Sequence, residues 1–113
     1  MKGRLDGTSL RVPVPVGSIT DFTAIVSSTS VDAVNAAFRA AAEGPLKGVL
    51  VYTDDYIVSS DIVGTPASCT FDSLMTIVQP IDDTQSLVKI FGWYDNEWGY
   101  SNRLVDLSVH IGK

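Results

Sequence analysis

The sequence predicts an α+β domain, an antiparallel or mixed sheet with two main helices on one face. Three observations carry that expectation. Short apolar segments are separated by turn chemistry at Gly17-Ser18, Gly64-Thr65-Pro66 and Pro80 to Gln85. Two stretches carry apolar residues at three- and four-residue spacing, Val31, Val34, Phe38 and Ala41, then Tyr100, Leu104, Leu107 and Ile111. The order is strand, strand, helix, several strands, helix, all within 113 residues, which is one domain spanning 1–113.

Taken in order, Thr8 to Val16 alternates Leu10, Val12, Val14 and Val16 against Arg11, Pro13 and Pro15. That pattern predicts a strand with one apolar face, at an edge or bulged because proline cannot donate to a ladder. Ile19 to Val26 is a second strand, expected to pair antiparallel with the first. Ser30 is an N-cap and Asp32 suits the positive end of a helix over Val31 to Ala42. Gly44-Pro45 stops that helix. Gly48 to Thr53 is a short strand, and Asp54 to Val63 is extended and looped around Ser59-Ser60-Asp61. Thr70 to Gln79 reads as one strand, Ser86 to Trp93 as its hairpin partner, and the last helix runs from about Gly99 to Ile111.

Composition is that of a globular chain, 45% hydrophobic and 19% charged. No apolar run approaches the roughly 18 residues of a membrane span, and the polar opening after Met1 is unlike a secretion signal. The net charge is −5, with eight acids and one base between Asp54 and Glu97. An acidic middle argues against nucleic acid, which demands a basic footprint. One cysteine allows no intrachain disulfide, which fits a cytoplasmic location.

The chain is organised around Phe91 to Asp106. It holds both tryptophans, Trp93 and Trp98, around a polar corner, Asp95-Asn96-Glu97, where a strand gives way to a helix. Polar groups in an aromatic setting at such a junction suit a binding corner. This stretch resembles the carboxy-terminal signature of phosphorylating glyceraldehyde-3-phosphate dehydrogenase. So do Lys2-Gly3-Arg4-Leu5-Asp6-Gly7, Arg11-Val12-Pro13-Val14-Pro15, Ala36 to Gly48 and Ile57 to Val63, all in family order. The resemblance covers nearly the whole chain, but only the later part of the family's catalytic domain. It implies that domain's α+β fold. The family's nucleotide-binding domain, nucleophilic cysteine and histidine base have no counterpart in these 113 residues.

Residue by residue, the resemblance matches Arg11 to a phosphate-contacting arginine, whose planar fork of donors suits that group. It matches Asn96 to the asparagine that bonds the nicotinamide carboxamide, and Tyr100 to a tyrosine near the nicotinamide ring. Asp95 joins these as a substrate-binding candidate, or with Glu97 as a cap on the following helix. Tyr100 and Glu97 are the candidate catalytic proton carriers. Cys69 lies in Ser68-Cys69-Thr70, an echo of the nucleophile motif at the wrong place in family order, and reads as a strand residue. His110 sits near the end of the last helix, where a solvated histidine is the ordinary case. There is no Gly-x-Gly-x-x-Gly turn, so no tight NAD site is expected, and neither a cofactor nor a metal.

Two function classes follow. The chain is a stand-alone module, not itself a dehydrogenase, repurposed for cofactor-independent small-molecule binding or acid–base chemistry such as dehydration, addition or cyclisation in a biosynthetic pathway. Alternatively it is an inactive truncation serving as a structural or subunit-interaction module. In both, a sheet face carrying Val12, Val14, Phe22 and Ile77 lacks a helix to cover it and is expected to mediate a homodimer or higher homo-oligomer.

Overall fold

The computed structural model describes residues 3–113, so Lys2 of the opening motif lies outside it. Its sheet is built on the strand β5 (Gln85–Tyr94). The remaining strands are β1 (Ser18–Ser27), β2 (Leu50–Thr53), β3 (Cys69–Asp72) and β4 (Ile77–Pro80). Their order is β1-β5-β3-β2, with β4 also on β5. β1 lies antiparallel along the whole of β5, from Ser18 opposite Tyr94 to Ser27 opposite Gln85. β2 and β3 are the parallel pair in an otherwise antiparallel sheet. The helices are α1 (Val31–Glu43), the single turn α2 (Ser59–Ile62) and α3 (Trp98–Ile111). The α+β, mixed-sheet expectation holds.

Two strand expectations do not hold. Thr8 to Val16 forms no strand, and β1 takes β5 as its partner instead. Pro13 and Pro15 remove two ladder donors, and the Val14 amide turns back onto the Val12 carbonyl at 2.8 Å, a contact an extended strand does not make. Thr70 to Gln79 is broken by a 3₁₀ turn at Ser73–Met75. Thr70 pairs with Trp93, so an unbroken strand would set Ile77 opposite Ser86, yet Ile77 pairs with Lys89, three residues on. The three residues of the turn are the inserted length. Asp72 stabilises the break, since its carboxylate accepts from the Leu74 amide at 3.2 Å and from the Trp93 indole at 3.1 Å. The expected loop over Asp54 to Val63 also holds α2, whose Asp61 carboxylate accepts from the Val58 amide at 2.8 Å.

The core sits between α1 and the β3 side of the sheet. Phe38 of α1 stacks on buried Phe71 of β3 with ring centroids 4.0 Å apart. Asn35, one helical turn earlier, donates to the Ser73 carbonyl at 3.1 Å and accepts from the Thr76 hydroxyl at 2.7 Å. α1 begins as expected, with the Ser30 hydroxyl accepting from the Ala33 amide at 3.2 Å. Close approaches at Gly92 and Gly99 need glycine. A Cβ at Gly92 would lie 2.5 Å from the Cys69 sulfur, and one at Gly99 would lie 2.8 Å from the Ala67 carbonyl oxygen. The second contact seats the first turn of α3 against the body.

The side chains named for a dimer face do not lie together on one face of the sheet. Val12 and Val14 are outside the sheet. Phe22 lies opposite Ile90 and Ile77 opposite Lys89, and adjacent residues of β5 point to opposite faces.

Candidate functional site

The end of β5 and the start of α3 form a corner, and Asp95 is its internal fastening. Its carboxylate is buried. One oxygen accepts from the Trp98 amide at 2.7 Å and the Glu97 amide at 3.1 Å, and the other from the Gly64 amide at 2.9 Å. These bonds satisfy donors that a helix start leaves without intrahelical partners. They also tie the Val63-Gly64 turn to the corner. The Trp98 and Gly64 amides, with the Glu97 amide behind them, hold the Asp95 carboxyl below the usual aspartate value. Asp95 rather than Glu97 caps α3. Both of its oxygens are engaged within the chain, so it shapes the corner, and a ligand would have to compete with backbone amides to reach it.

Asn96 follows Asp95 and is exposed. Its side-chain oxygen accepts from the Ser18 hydroxyl at 3.3 Å. Ser18 is the first residue of β1, opposite Tyr94, so the sheet register delivers it to the corner. With that bond made, the two amide N–H donors of Asn96 take no hydrogen-bond partner among the described residues. Gly17, next to Ser18, packs against the Ser59 carbonyl, 3.2 Å from where its Cβ would stand. Three stretches distant in sequence thus meet here: Gly17-Ser18, Ser59 to Gly64 and Asp95-Asn96.

Tyr100 and Glu97 lie in and just before the first turn of α3, and both side chains are exposed. The Glu97 carbonyl accepts from the Ser101 amide at 3.1 Å and the Ser101 hydroxyl at 2.8 Å. Arg11 is exposed in the irregular stretch before β1. No hydrogen bond or ion pair joins it to Asn96, Tyr100 or Asp95 among the described residues. The corner therefore groups Asn96, Glu97 and Tyr100 around the Asp95 fastening, with Arg11 apart in the hydrogen-bond network. Ser18 and Gly64 belong to it and were not expected. A serine opening a strand and a glycine in a turn carry no sign of a partner 78 or 31 residues away.

Cys69 is half-buried, and burial pushes its thiol up, away from the thiolate a nucleophile needs. His110 is exposed at the far end of α3. Among the described residues no three His, Cys, Asp or Glu side chains are grouped to hold a metal ion. No helix is long and apolar enough to cross a membrane. Two concavities lie elsewhere. One runs along α1 past Asp32, Arg39, Glu43 and Tyr52 with a volume of about 400 Å³. The other, of about 350 Å³, is an apolar groove between Phe38 and the β1–β5 pair.

The sequence profile described as glyceraldehyde 3-phosphate dehydrogenase, C-terminal domain, matches residues 1–96. The chain belongs to this family. It is 64% identical over 113 residues to glyceraldehyde-3-phosphate dehydrogenase 2 of Streptomyces avermitilis, covering 99% of this chain and 32% of that protein. It is 60% identical over 114 residues to the glyceraldehyde-3-phosphate dehydrogenase of Streptomyces coelicolor, covering 99% of this chain and 33% of that protein. The same identity over 114 residues holds for the Mycobacterium tuberculosis enzyme, with 100% and 32% covered. The chain thus spans about a third of the length of these curated relatives. The family profile ends at Asn96, while the three pairwise matches cover α3 as well.

Proposed function

We propose that this chain is a small-molecule-binding module that presents the dehydrogenase family's Asn96–Tyr100 corner without performing hydride transfer itself. The observation that supports it is the bond from Ser18 to Asn96 beside the fastened Asp95. A side-chain amide held from behind, at a helix start with an exposed tyrosine and tryptophan beside it, is organised to meet an acceptor group on an aromatic or polar ring. The ligand class is a compound that offers a carbonyl or carboxamide to the Asn96 N–H groups and a flat ring to Tyr100. The finer reading gives Tyr100 or Glu97 a proton to move in cofactor-independent dehydration, addition or cyclisation in the cytosol.

Nicotinamide and inorganic phosphate, added separately while amide NMR shifts are followed, test the binding reading. Binding predicts that nicotinamide moves the Asn96 side-chain amide and the Ser18 and Trp98 backbone amides, and that Asn96→Ala removes the response. Unmoved corner signals at tens of millimolar of either probe overturn it.

A second reading, a subunit-interaction module, is favoured by a different observation. The apolar stripe of α3 is uncovered, with Tyr100 64%, Leu104 46%, Leu107 53% and Ile111 74% exposed. Uncovered apolar surface of this extent marks a protein contact.

A further inference from the structure

α3 is fastened to the rest of the chain near its start. Of its residues Gly99 alone is buried, and residues 104–111 are all exposed. Gly99 packs on the Ala67 carbonyl, while Arg103 donates to the Gly48 carbonyl at 3.2 Å and the Pro66 carbonyl at 3.5 Å. These carbonyls lie in loops, Gly48 before β2 and Pro66 and Ala67 before β3. Among the described residues Arg103 is the one α3 side chain that bonds outside its own helix region, since Ser101, Asn102 and Ser108 donate to carbonyls one turn earlier. The grip is weak by its own chemistry. The Arg103 Nε is buried with no partner among the described residues, so docking strips water from a donor and gives nothing back. The bond to Pro66 is at the long limit of a hydrogen bond. Asp106, on the next turn, holds the same Nη2 at 2.9 Å, so the guanidinium keeps a charged partner when α3 lifts away.

We propose that Arg103 is a latch: closing it docks α3 and assembles the binding corner, and α3 opens and closes as a unit while the sheet stays folded. Local stability follows buried apolar contact, of which α3 has little. A 14-residue helix released from its seat is marginal in water, and Val105, Val109 and Ile111 are β-branched, so release and melting coincide. The link to the corner is one of attachment. Asn96 is held to β1 through Ser18, whereas Tyr100 rides on α3, so the docked helix alone sets the ring beside the amide. Arg103 is thus a positioning residue for a ligand that it does not touch. This part rests on the binding reading given above. A ligand that engages both Asn96 and Tyr100 binds the docked state alone, and by linkage it closes the latch.

Amide hydrogen exchange followed by NMR tests the latch on the chain alone. Amides of residues 104–111 are expected to exchange about 100-fold faster than the paired amides of β5, and Arg103→Ala to speed them about 10-fold further with β5 unchanged. Arg103→Lys keeps the charge but not the fork that spans two carbonyls, so it should fall between, and it carries the comparison if Arg103→Ala does not fold. α3 exchanging in step with β5, or substitutions at Arg103 that leave α3 unaltered or speed β5 equally, overturn the latch. Nicotinamide at about three times its dissociation constant is then expected to slow exchange of residues 104–111 about 4-fold, because the undocked state does not bind it. Shifts of the Asn96 side-chain amide without that slowing overturn the assembly of the corner by α3. The exchange pattern of the chain alone needs no ligand, so a corner silent to nicotinamide strikes the binding reading and the coupling, while the latch is still decided by exchange.

Discussion

The Asp95 carboxylate accepts the Gly64 amide at 2.9 Å while its other oxygen holds the Trp98 amide at 2.7 Å, so one side chain closes a turn and starts a helix. Asparagine cannot replace it, since one of its two terminal atoms is a donor and would face an N–H. Asp95→Asn and Asp95→Ala are expected to lower the melting temperature by more than Ser30→Ala. The latter removes an ordinary cap on α1 and costs about 1 kcal/mol.

The same residue gives a pH dependence of defined sign. The folded Asp95 is held below the unfolded aspartate value, first by the Trp98 amide and then by that of Gly64. Its contribution is complete above the unfolded value and is lost as pH falls through the folded one. Asp82 acts in the same direction, held low by the Thr84 hydroxyl and amide in the β4–β5 hairpin. Stability is therefore expected to fall below about pH 4. Melting curves from pH 7 to pH 2 should show a shallower acid limb in Asp95→Asn, and an undiminished limb in a variant lacking both Asp95 and Asp82 would refute the assignment.

Gly92→Ala is expected to cost about 1–3 kcal/mol, because its Cβ would stand 2.5 Å from the Cys69 sulfur. Cys69→Ala removes that sulfur, so the double variant should recover most of the loss. Chemical denaturation of the four proteins measures the coupling. Gly99→Ala meets the Ala67 backbone oxygen at 2.8 Å, which no side-chain change relieves, so its loss should persist in the Cys69→Ala background.

The purified 113-residue chain is expected to form no NADH from glyceraldehyde 3-phosphate, NAD and phosphate. Its lone thiol is pushed up by burial. His110 lies eleven residues along α3 from Gly99, which packs on Ala67 and Ser68 just before Cys69, so about 16 Å of helix leads away from that thiol to His110. Absorbance at 340 nm above a blank would show this to be wrong.

What the sequence disclosed and what it hid divide along physical lines. α1, α3, β1, β5 and the β4–β5 hairpin were legible because each is specified locally, by a cap, a stripe or a turn. The Thr8 to Val16 segment misled because alternation alone cannot say whether a partner strand is available, and β5 was the better partner for β1. The break in Thr70 to Gln79 was hidden because Asp72 is stabilised by Leu74 nearby and by Trp93 across the sheet, and the second contact exists only after folding. The corner was legible as a cluster of polar residues between tryptophans. The division of labour inside it was not, since it depends on which distant group, Gly64 for Asp95 and Ser18 for Asn96, each one meets after folding.

That division supplies the last prediction. Ser18 holds Asn96 from behind, and it neither needs nor offers a direct ligand contact in the proposed binding mode. Ser18→Ala should leave the fold within about 1 kcal/mol of the parent, the worth of one exposed hydrogen bond. It should nevertheless weaken nicotinamide binding about 3- to 10-fold, because the Asn96 amide must then be ordered by the ligand itself. Ser18→Thr keeps the hydroxyl and should restore binding. In an Asn96→Ala background, where the nicotinamide response is already removed, Ser18→Ala should change nothing more, because the group being positioned is gone. Dissociation constants from NMR titration of the parent, Ser18→Ala and Ser18→Thr decide it, with the Asn96→Ala and double variants as proteins without a response. Equal affinities for the parent and Ser18→Ala with Asn96 intact would show that the bond at 3.3 Å positions nothing that the ligand uses.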